Sequence, residues 1–548
     1  MSKSVHDQPA ALTSVSQPTT AASGVADLHA LLTAARVAPP YLLVGASWGG
    51  MIINLFARSY PREVAGLVFV DAASEFLRGT SSVSSDLRWW SAPSARFSAR
   101  PVPVRPGERR AAPSRADDDL RSDGTAVSLS VRLIQSRAEA VVAPEINLID
   151  ADVYQRGGPP YDQFSWLREH APVFWHANGG GDGWPGFWAV TRHEDVANLS
   201  RHPEIFSSAR RLTVFGEVPE QAIELQRLMM LNMDPPQHTR QRAFVNRGFT
   251  PRMIGRLEQH ITHVCHELIG QVEPRGAADF VTDIAAPLPL QVICELVGAP
   301  LEDRDRIYEL SNLLVGADDP EFQSPTGQRM QHAAALEIYA YAGELAERRR
   351  VQPADDLVTR LLQPDEAGEV LSDDEFDLFF LLLTVAGNET TRNAASGGML
   401  AFFEHPDQWD RLVGDPALIP SAAEEIVRWV SPVNLFRRTA TRDTELGGQR
   451  IAEGDKVVVF YASANRDEDV FARPQGFDIG RDPNPHVGFG GGGPHFCLGK
   501  HLAVLEMRVL LRALTERMPD ITQDGEASRL RSNFINGIKH MPVRFGSP

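Results

Sequence analysis

The feature that most constrains this chain is a glycine-rich loop that ends in a cysteine at the head of a helix. Phe489 is followed by four glycines, by Pro-His-Phe-Cys-Leu-Gly, and then by a helical run from Lys500 to Met518. Consecutive glycines allow positive φ angles and let a backbone approach a flat ligand closely. The free N–H groups at a helix N-terminus stabilise a thiolate and lower its pKa. The pattern therefore predicts that Cys497 is a thiolate that can bind iron.

Length, charge and the absence of targeting signals bound the possible functions. The chain has 548 residues, more than one hydrophobic core usually serves, so a second domain or an appended segment is expected. A formal net charge of -17 argues against nucleic acid as a partner. Residues 1–20 lack the features of a secretory signal, and the densest apolar run, residues 378–386, is too short for a membrane span. We therefore expect a soluble, cytoplasmic protein.

Cysteine usage agrees with a reducing compartment. The chain has three cysteines, Cys265, Cys294 and Cys497, too few for a disulfide framework. Because Cys265 and Cys294 lie in apolar helix-like stretches, we interpret both as core residues.

Three parts of the chain differ in character. Residues 1–75 indicate a compact α/β piece, with strands at 41–44 and 66–70 and a helix at 50–60. Residues 76–144 are rich in Arg, Ser, Pro and Ala and are typical of a poorly ordered linker. Residues 145–548 are dominated by helices, with short strand signals at 187–191, 445–451 and 456–461. The longest helix is predicted from the N-cap Ser372, with a capping box at Glu375, to about Glu404.

The cysteine loop resembles the heme-binding loop of the cytochrome P-450 family, and the similarity extends over nearly all of residues 146–548. The resemblance implies a mainly α fold with small β-sheets, preceded here by a partial α/β-hydrolase-like segment and a linker. It implies heme b (iron protoporphyrin IX), with Cys497 as the iron ligand, Phe489 and Gly499 at the cofactor, and His495 bonded to a propionate. In the family the Phe stands seven residues before the Cys, whereas Phe489 stands eight before it. The alternative is a glycine-rich loop with a buried free cysteine.

Two consecutive residues of the long helix are candidate catalytic groups. The helix is expected to loosen at Gly387 and open a polar notch there. The reason is that a hydroxyl residue after this glycine can bond back to a carbonyl one turn earlier. Glu389 and Thr390 resemble the acid-alcohol pair of the family, which implies that Thr390 steadies the activated dioxygen while Glu389 relays protons. The alternative is a threonine that bonds back within a core helix beside a solvated glutamate.

Two groups of charged residues complete the resemblance. His238 and Arg242 stand four apart on a predicted helix and, with Arg438, would bind heme propionates by charge-assisted hydrogen bonds. Which of Arg437 and Arg438 points inward is left open. Glu425, Arg428 and Arg481 are similar to the Glu-x-x-Arg pair and later Arg that brace the heme loop. We interpret those three as structural.

The first part of the chain carries a second resemblance. Gly45-Ala-Ser47-Trp-Gly49 follows a strand and precedes a helix, the context of a nucleophile elbow, and resembles the α/β-hydrolase family. No histidine follows Asp71 before the heme domain, so Ser47 lacks the base that a working hydrolase needs. We interpret the piece as a catalytically dead remnant.

Subgroup motifs narrow the expected reaction. Residues 231–236, 247–252, 386–393 and 536–540 resemble actinobacterial enzymes that oxidise the terminal carbon of cholesterol-type side chains or methyl-branched lipids. The implied partners are a hydrophobic substrate, dioxygen, and a ferredoxin with its reductase and NAD(P)H. A terpene hydroxylase of the same fold, a bifunctional hydrolase-oxygenase and a non-catalytic heme carrier or gas sensor stand as alternatives.

Overall fold

Helices dominate the chain after residue 145, as the sequence predicts. The computed structural model describes residues 29, 41–45, 60, 64–69, 145–177, 186–217, 223–224, 226–247, 249, 251–315, 319–321, 327–365 and 368–546. Helices α1 to α14 are, in chain order, Ala151–Gly157, Tyr161–His170, His193–Arg201, Gln237–Asn246, Pro251–Val272, Pro287–Val297, Arg304–Val315, Gly327–Val351, Leu357–Leu361, Asp373–Glu404, Pro406–Gly414, Ile419–Val430, Tyr461–Ala464 and Lys500–Arg517. Strands β1 to β14 are Tyr41–Gly45, Val64–Phe69, Val173–His176, Phe187–Val190, Phe206–Ser207, Ala277–Asp279, Leu435–Ala440, Thr444–Leu446, Gln449–Ile451, Lys456–Phe460, Thr522–Gln523, Ser528–Arg529, Ile538–His540 and Pro542–Arg544.

The largest described sheet has the strand order β3-β4-β10-β7-β5. Its β4 and β10 run parallel, and the other neighbours are antiparallel. The predicted signal at residues 445–451 is a hairpin, because Gly447 and Gly448 adopt φ angles of +55° and +75° between β8 and β9. Glycine adopts such angles without strain, so a Gly-Gly pair suits the tight turn of this hairpin.

Helix α10 is the long helix that the sequence predicts. It spans 32 residues, and the Ser372 side chain accepts from the Glu375 N–H while Glu375 accepts from the Ser372 N–H. This capping box satisfies two backbone donors and fixes where the helix starts. Along most of its length α10 is buried in the main hydrophobic core, in contact with α6, α7, α8, α12 and α14. It therefore runs through the centre of the helical part.

The two predicted core cysteines are buried. Cys265 is 1% exposed and Cys294 is 0% exposed, and burial raises the pKa of both thiols. Both act as small apolar groups of the core, as expected.

Two strands are described in the first part of the chain. β1 and β2 pair in parallel, with Leu43 opposite Leu67, which confirms the two predicted strands. Other predictions for this part lie outside the described residues. They are the helix at 50–60, of which only Tyr60 is described, the candidate nucleophile Ser47, and the linker at 76–144. Of the helices that the structure describes, none combines the length and the apolar character that crossing a bilayer needs.

Candidate active site

The glycine-rich loop is shaped by its glycines. Gly490, Gly492 and Gly493 have φ angles of +99°, +93° and +73°. The loop packs directly on α3: a Cβ on Gly491 would lie 2.6 Å from the Ser200 Oγ, and one on Gly493 would collide with the Ser200 carbonyl oxygen. Side chains are therefore excluded here by both backbone conformation and space.

The loop closes on itself just before α14. The Cys497 N–H donates to the Phe489 carbonyl oxygen over 2.9 Å, so the eight-residue spacing is accommodated in one closed turn. The Phe489 ring lies 5.7 Å from the His486 ring and 5.3 Å from the Lys500 Nζ. Helix α14 begins at Lys500, which places Cys497 at its head as the sequence predicts.

The Cys497 thiol differs from expectation in one respect. Its side chain is exposed, yet protein surrounds it at longer range, and this burial raises its pKa. The N–H groups of Gly499 and Lys500 and the charge of Arg242 act in the opposite direction and lower it. The expected net lowering is therefore wrong for the isolated thiol, because burial outweighs the helix terminus. A bound metal cation reverses that balance and deprotonates a coordinating thiol.

Four predicted cofactor-binding residues lie together beside this loop. The His238 and His495 rings are 4.3 Å apart, and an Arg242 Nη donates to the Pro494 carbonyl oxygen over 3.1 Å. His495 Nε2 lies 3.0 Å from the Met233 carbonyl oxygen. Arg438 is close enough to lower the pKa of both histidines. We call these four residues, His238, Arg242, Arg438 and His495, the basic cluster.

The structure settles which of the adjacent arginines faces the cluster. Successive side chains of a strand point to opposite faces, and β7 contains both residues. Arg437 pairs with Glu217 over 2.9 Å, together with Lys456, on the other face. Arg438 donates to the Arg437 carbonyl oxygen over 2.7 Å and faces the histidines.

The basic cluster has the chemistry to bind anionic carboxylates. His238 is 1% exposed, yet neither of its ring nitrogens has a partner among the described residues. Burial, and then Arg242, lower its pKa to about 4, so its ring is neutral at physiological pH. Arg242 and Arg438 form no ion pair with a described carboxylate, and a cleft of about 330 Å³ borders His238, Arg242 and Gly493. A buried imidazole without a partner, next to two arginines and an accessible cysteine sulfur, fits a planar cofactor with propionate groups.

The notch predicted in the long helix is present in α10. The Thr390 Oγ1 donates back to the Ala386 carbonyl oxygen over 2.7 Å, and Thr390 is only half-buried. A Cβ on Gly387 would collide with the Ile293 Cδ1, so α6 approaches α10 closely at this turn. The back-bond and the glycine together leave a polar hydroxyl at the surface of a mainly apolar helix.

Glu389 differs from the solvated side chain of the alternative interpretation. It is 1% exposed, and one carboxylate oxygen pairs with Arg392 one turn along α10. Its pKa is raised by burial, while Arg392 lowers it. Neither Glu389 nor Thr390 forms a hydrogen bond with the basic cluster among the described residues, although α10 contacts α14. Sequence reasoning missed Arg392, whose spacing of three residues from Glu389 was the available signal.

The three residues interpreted as structural form one buried network. Arg428 donates twice to Glu425, each time over 2.8 Å, and both side chains are 0% exposed. The Arg481 Nε donates to Glu425 over 3.1 Å. Asn484 and the Asp478 N–H also donate to Glu425, which ties the segment before the cysteine loop to α12.

Comparisons with known proteins agree with this geometry. The family model for cytochrome P-450 matches residues 417–519, and the model for the alpha/beta hydrolase fold matches residues 10–98. The chain is 44% identical to a steroid C26-monooxygenase of Rhodococcus jostii over 416 residues, which cover 74% of this chain and 87% of that protein. It is also 44% identical to a methyl-branched lipid omega-hydroxylase of Mycobacterium tuberculosis over 427 residues, 75% of this chain and 98% of that protein.

Solved structures of similar fold are also cytochromes P-450. A cytochrome P-450 of Mycobacterium marinum, solved in complex with pseudoionone, superposes with a TM-score of 0.69 at 39% identity. The superposition covers 74% of this chain and all of that one. The family uses heme b, dioxygen, a hydrophobic substrate and electrons from redox partners. The relatives match this chain over most of their own length, and the chain has the cysteine loop and the basic cluster described above. This chain therefore belongs to the cytochrome P-450 family and is a heme-thiolate monooxygenase.

Proposed function

We propose that this enzyme hydroxylates the terminal carbon of a sterol side chain or of a methyl-branched lipid. The observation that carries the proposal is equal identity, 44%, to a steroid C26-monooxygenase and to a methyl-branched lipid omega-hydroxylase, each matched over 87% or more of its length. Both names describe attack near the end of a chain. A terpene hydroxylase is the second candidate, because a structural neighbour was solved with pseudoionone.

In the proposed enzyme each predicted residue has one role. Cys497 binds the heme iron through its Sγ, and Phe489 and Gly499 lie at the cofactor. The basic cluster binds the propionates, and a propionate oxygen supplies an acceptor for the N–H of the neutral His238 ring, which has no partner among the described residues. When bound, the heme supplies the activation of dioxygen, of which one atom enters a C–H bond and the other leaves as water.

Thr390 and Glu389 handle protons in this proposal. The Thr390 hydrogen already bonds to the Ala386 carbonyl, so the lone pairs of its oxygen are free to accept a hydrogen bond at the notch. Replacing it, Thr390→Ala, is expected to divert electrons from product to hydrogen peroxide by a factor of about 10 or more. The matched control is Thr384→Ala, because Thr384 makes the same back-bond, to Phe380 over 2.9 Å, but is 1% exposed. Equal peroxide yields from the two variants would refute the role of Thr390.

The electron donor and the cellular compartment are also proposals. No flavin or iron-sulfur segment is evident in the sequence, so we propose a separate ferredoxin and reductase fed by NAD(P)H. The two buried thiols, Cys265 and Cys294, are free, which supports a reducing cytoplasm. The division into residues 1–75, 76–144 and 145–548 remains part of the proposal.

The substrate class is tested by optical titration of the purified holoenzyme. Sterols, methyl-branched fatty acids and terpenes are added in turn, and the heme Soret band is followed. Saturable shifts with sterols or branched lipids, with terminal alcohols identified by mass spectrometry, are expected. Shifts with terpenes alone would replace the proposed substrate class. A reduced, carbon monoxide-treated protein without the red-shifted band of sulfur-ligated heme would overturn the role of Cys497 itself.

A second activity is open to a direct test, because the alpha/beta hydrolase match covers Ser47. We propose that this segment is catalytically dead, since no histidine follows Asp71 before the heme domain. Ester hydrolysis by the purified chain that disappears in Ser47→Ala would show instead a bifunctional enzyme.

A further inference from the structure

The carboxylate of Glu389 is held in an unusual setting. Glu389 and Thr390 are neighbours on α10, but only Thr390 reaches the notch. The Glu389 side chain is 2% exposed, and its Oε2 pairs with the guanidinium of Arg392, whose side chain is 10% exposed. The pair is therefore buried, and its spacing of three residues places both groups on one helix face.

The second carboxylate oxygen of Glu389 is left without a hydrogen-bond donor by the residues that the structure describes. Oε1 of Glu389 is buried and has no partner among the described residues. The Asn393 Nδ2, which stands one turn further along, donates to the backbone carbonyl of Glu389 over 2.8 Å. Asn393 is also close enough to lower the pKa of the Glu389 carboxyl, though less than Arg392 does. Arg392 thus fixes one oxygen, and the other has no hydrogen-bond donor in the part of the chain that the structure describes.

Physical chemistry makes Arg392 decisive for the charge of Glu389. A buried carboxylate without a cation takes up a proton, because ionisation in an apolar setting costs several kcal/mol. An arginine in contact restores ionisation, since its charge is permanent. A group that relays protons must exist in both forms near the working pH. Burial and Arg392 act on Glu389 in opposite directions, and neither one alone would keep both forms accessible.

From this arrangement we infer that Arg392 is a positioning residue: it keeps the buried Glu389 carboxylate ionised and oriented, with Oε1 as the oxygen that takes up the proton. The inference rests on the proposed role of Glu389 as the proton relay. Arg392 itself touches neither substrate nor cofactor in this inference. It acts through Glu389.

Infrared spectroscopy of the substrate-free holoenzyme tests the inference without turnover. Protonated carboxyl groups absorb apart from carboxylates, and a protonated band in Arg392→Met is assigned to Glu389 by its loss when Glu389→Gln is added to that variant. Arg392→Met is expected to show a protonated Glu389 band at pH 7 that the parent lacks or shows more weakly. Arg392→Lys keeps a cation and should restore the parent spectrum. Arg227→Met, which breaks an exposed pair with Glu224 at the same spacing, is the control.

The pH profile of product formation supplies a second readout. Its acidic limb should move to higher pH by about 1 to 3 units in Arg392→Met and return in Arg392→Lys. An unchanged profile together with no Glu389-dependent infrared band would overturn the inference. If the infrared band appears in Arg392→Met but Glu389→Gln hydroxylates normally, the ion pair is confirmed and the relay role of Glu389 fails. If Arg392→Met does not fold, Arg392→Gln, a polar neutral variant, is compared with Arg392→Lys in the same two measurements.

Discussion

Removing the charge of Glu425 should be among the most damaging single changes outside the cofactor site. Its two oxygens accept from Arg428, from Arg481, from Asn484 and from the backbone of Asp478, and Glu425 is 0% exposed. Glu425→Gln keeps the size but places an amide NH2 against guanidinium donors and leaves a fully buried arginine without its counter-charge. Breaking a buried pair in this way destabilises a protein by about 3 to 5 kcal/mol.

The loss should be visible in both unfolding and heme retention. Arg428 also donates to the carbonyls of Asn465, Pro474 and Gly476, so the network anchors the segment that leads to Cys497. Urea unfolding, followed by circular dichroism, should give a lower midpoint, and the reduced, carbon monoxide-treated spectrum should show less sulfur-ligated heme. The control Glu453→Gln breaks an exposed pair with Arg210 and should change stability by less than about 1 kcal/mol. A Glu425→Gln protein as stable as this control would refute the reasoning.

Two further perturbations test the loop and the far end of the chain. Gly493→Ala should abolish heme incorporation, because the added Cβ would collide with the Ser200 carbonyl oxygen and the residue has a φ of +73°. The control Gly414→Ala, where an added Cβ meets no atom within 4 Å, should incorporate heme normally. Normal heme content in Gly493→Ala would contradict the reasoning. His540 pairs with Glu321 and Asp279, and these carboxylates raise its pKa above 6.5. The protonated imidazole therefore stabilises the folded protein fully below about pH 6.5, and this stabilisation is lost as the pH rises through the raised pKa. Thermal midpoints of the parent and His540→Asn should therefore differ at pH 6 and converge at alkaline pH; a pH-independent difference would exclude titration of His540 as its source.

Features encoded by neighbouring residues were predictable from sequence. The start of α10 follows from Ser372 and Glu375, and the head of α14 follows from the glycines before Cys497, because caps and turns depend on residues only a few positions apart. The core positions of Cys265 and Cys294 follow from the apolar residues around them. For the same reason the motif residues of the loop and the notch are evident from the sequence alone.

Features that depend on distant residues were not predictable in this way. The parallel pairing of Val457 with Trp188 joins positions far apart in sequence, and no local pattern specifies it. The inward arginine could not be chosen from the sequence, because the choice depends on β7 placing Arg437 against the distant Glu217. The pKa of Cys497 was predicted in the wrong direction, because the helix terminus is visible in sequence while burial by the surrounding fold is not.

Two buried arginines, Arg428 on α12 and Arg438 on β7, differ in how completely the surrounding fold pairs them. Arg428 on α12 has every donor direction supplied by Glu425 and by backbone carbonyls. Arg438, ten residues later, is 6% exposed and forms no ion pair with a described carboxylate, and neighbouring His238 has no partner for either nitrogen among the described residues. An unpaired buried polar group destabilises a fold by about 1 to 3 kcal/mol, so the unpartnered His238 ring calls for an explanation beyond the packing of the described residues. We propose that a heme propionate accepts from the His238 N–H, so that cofactor binding would complete the fold at this position.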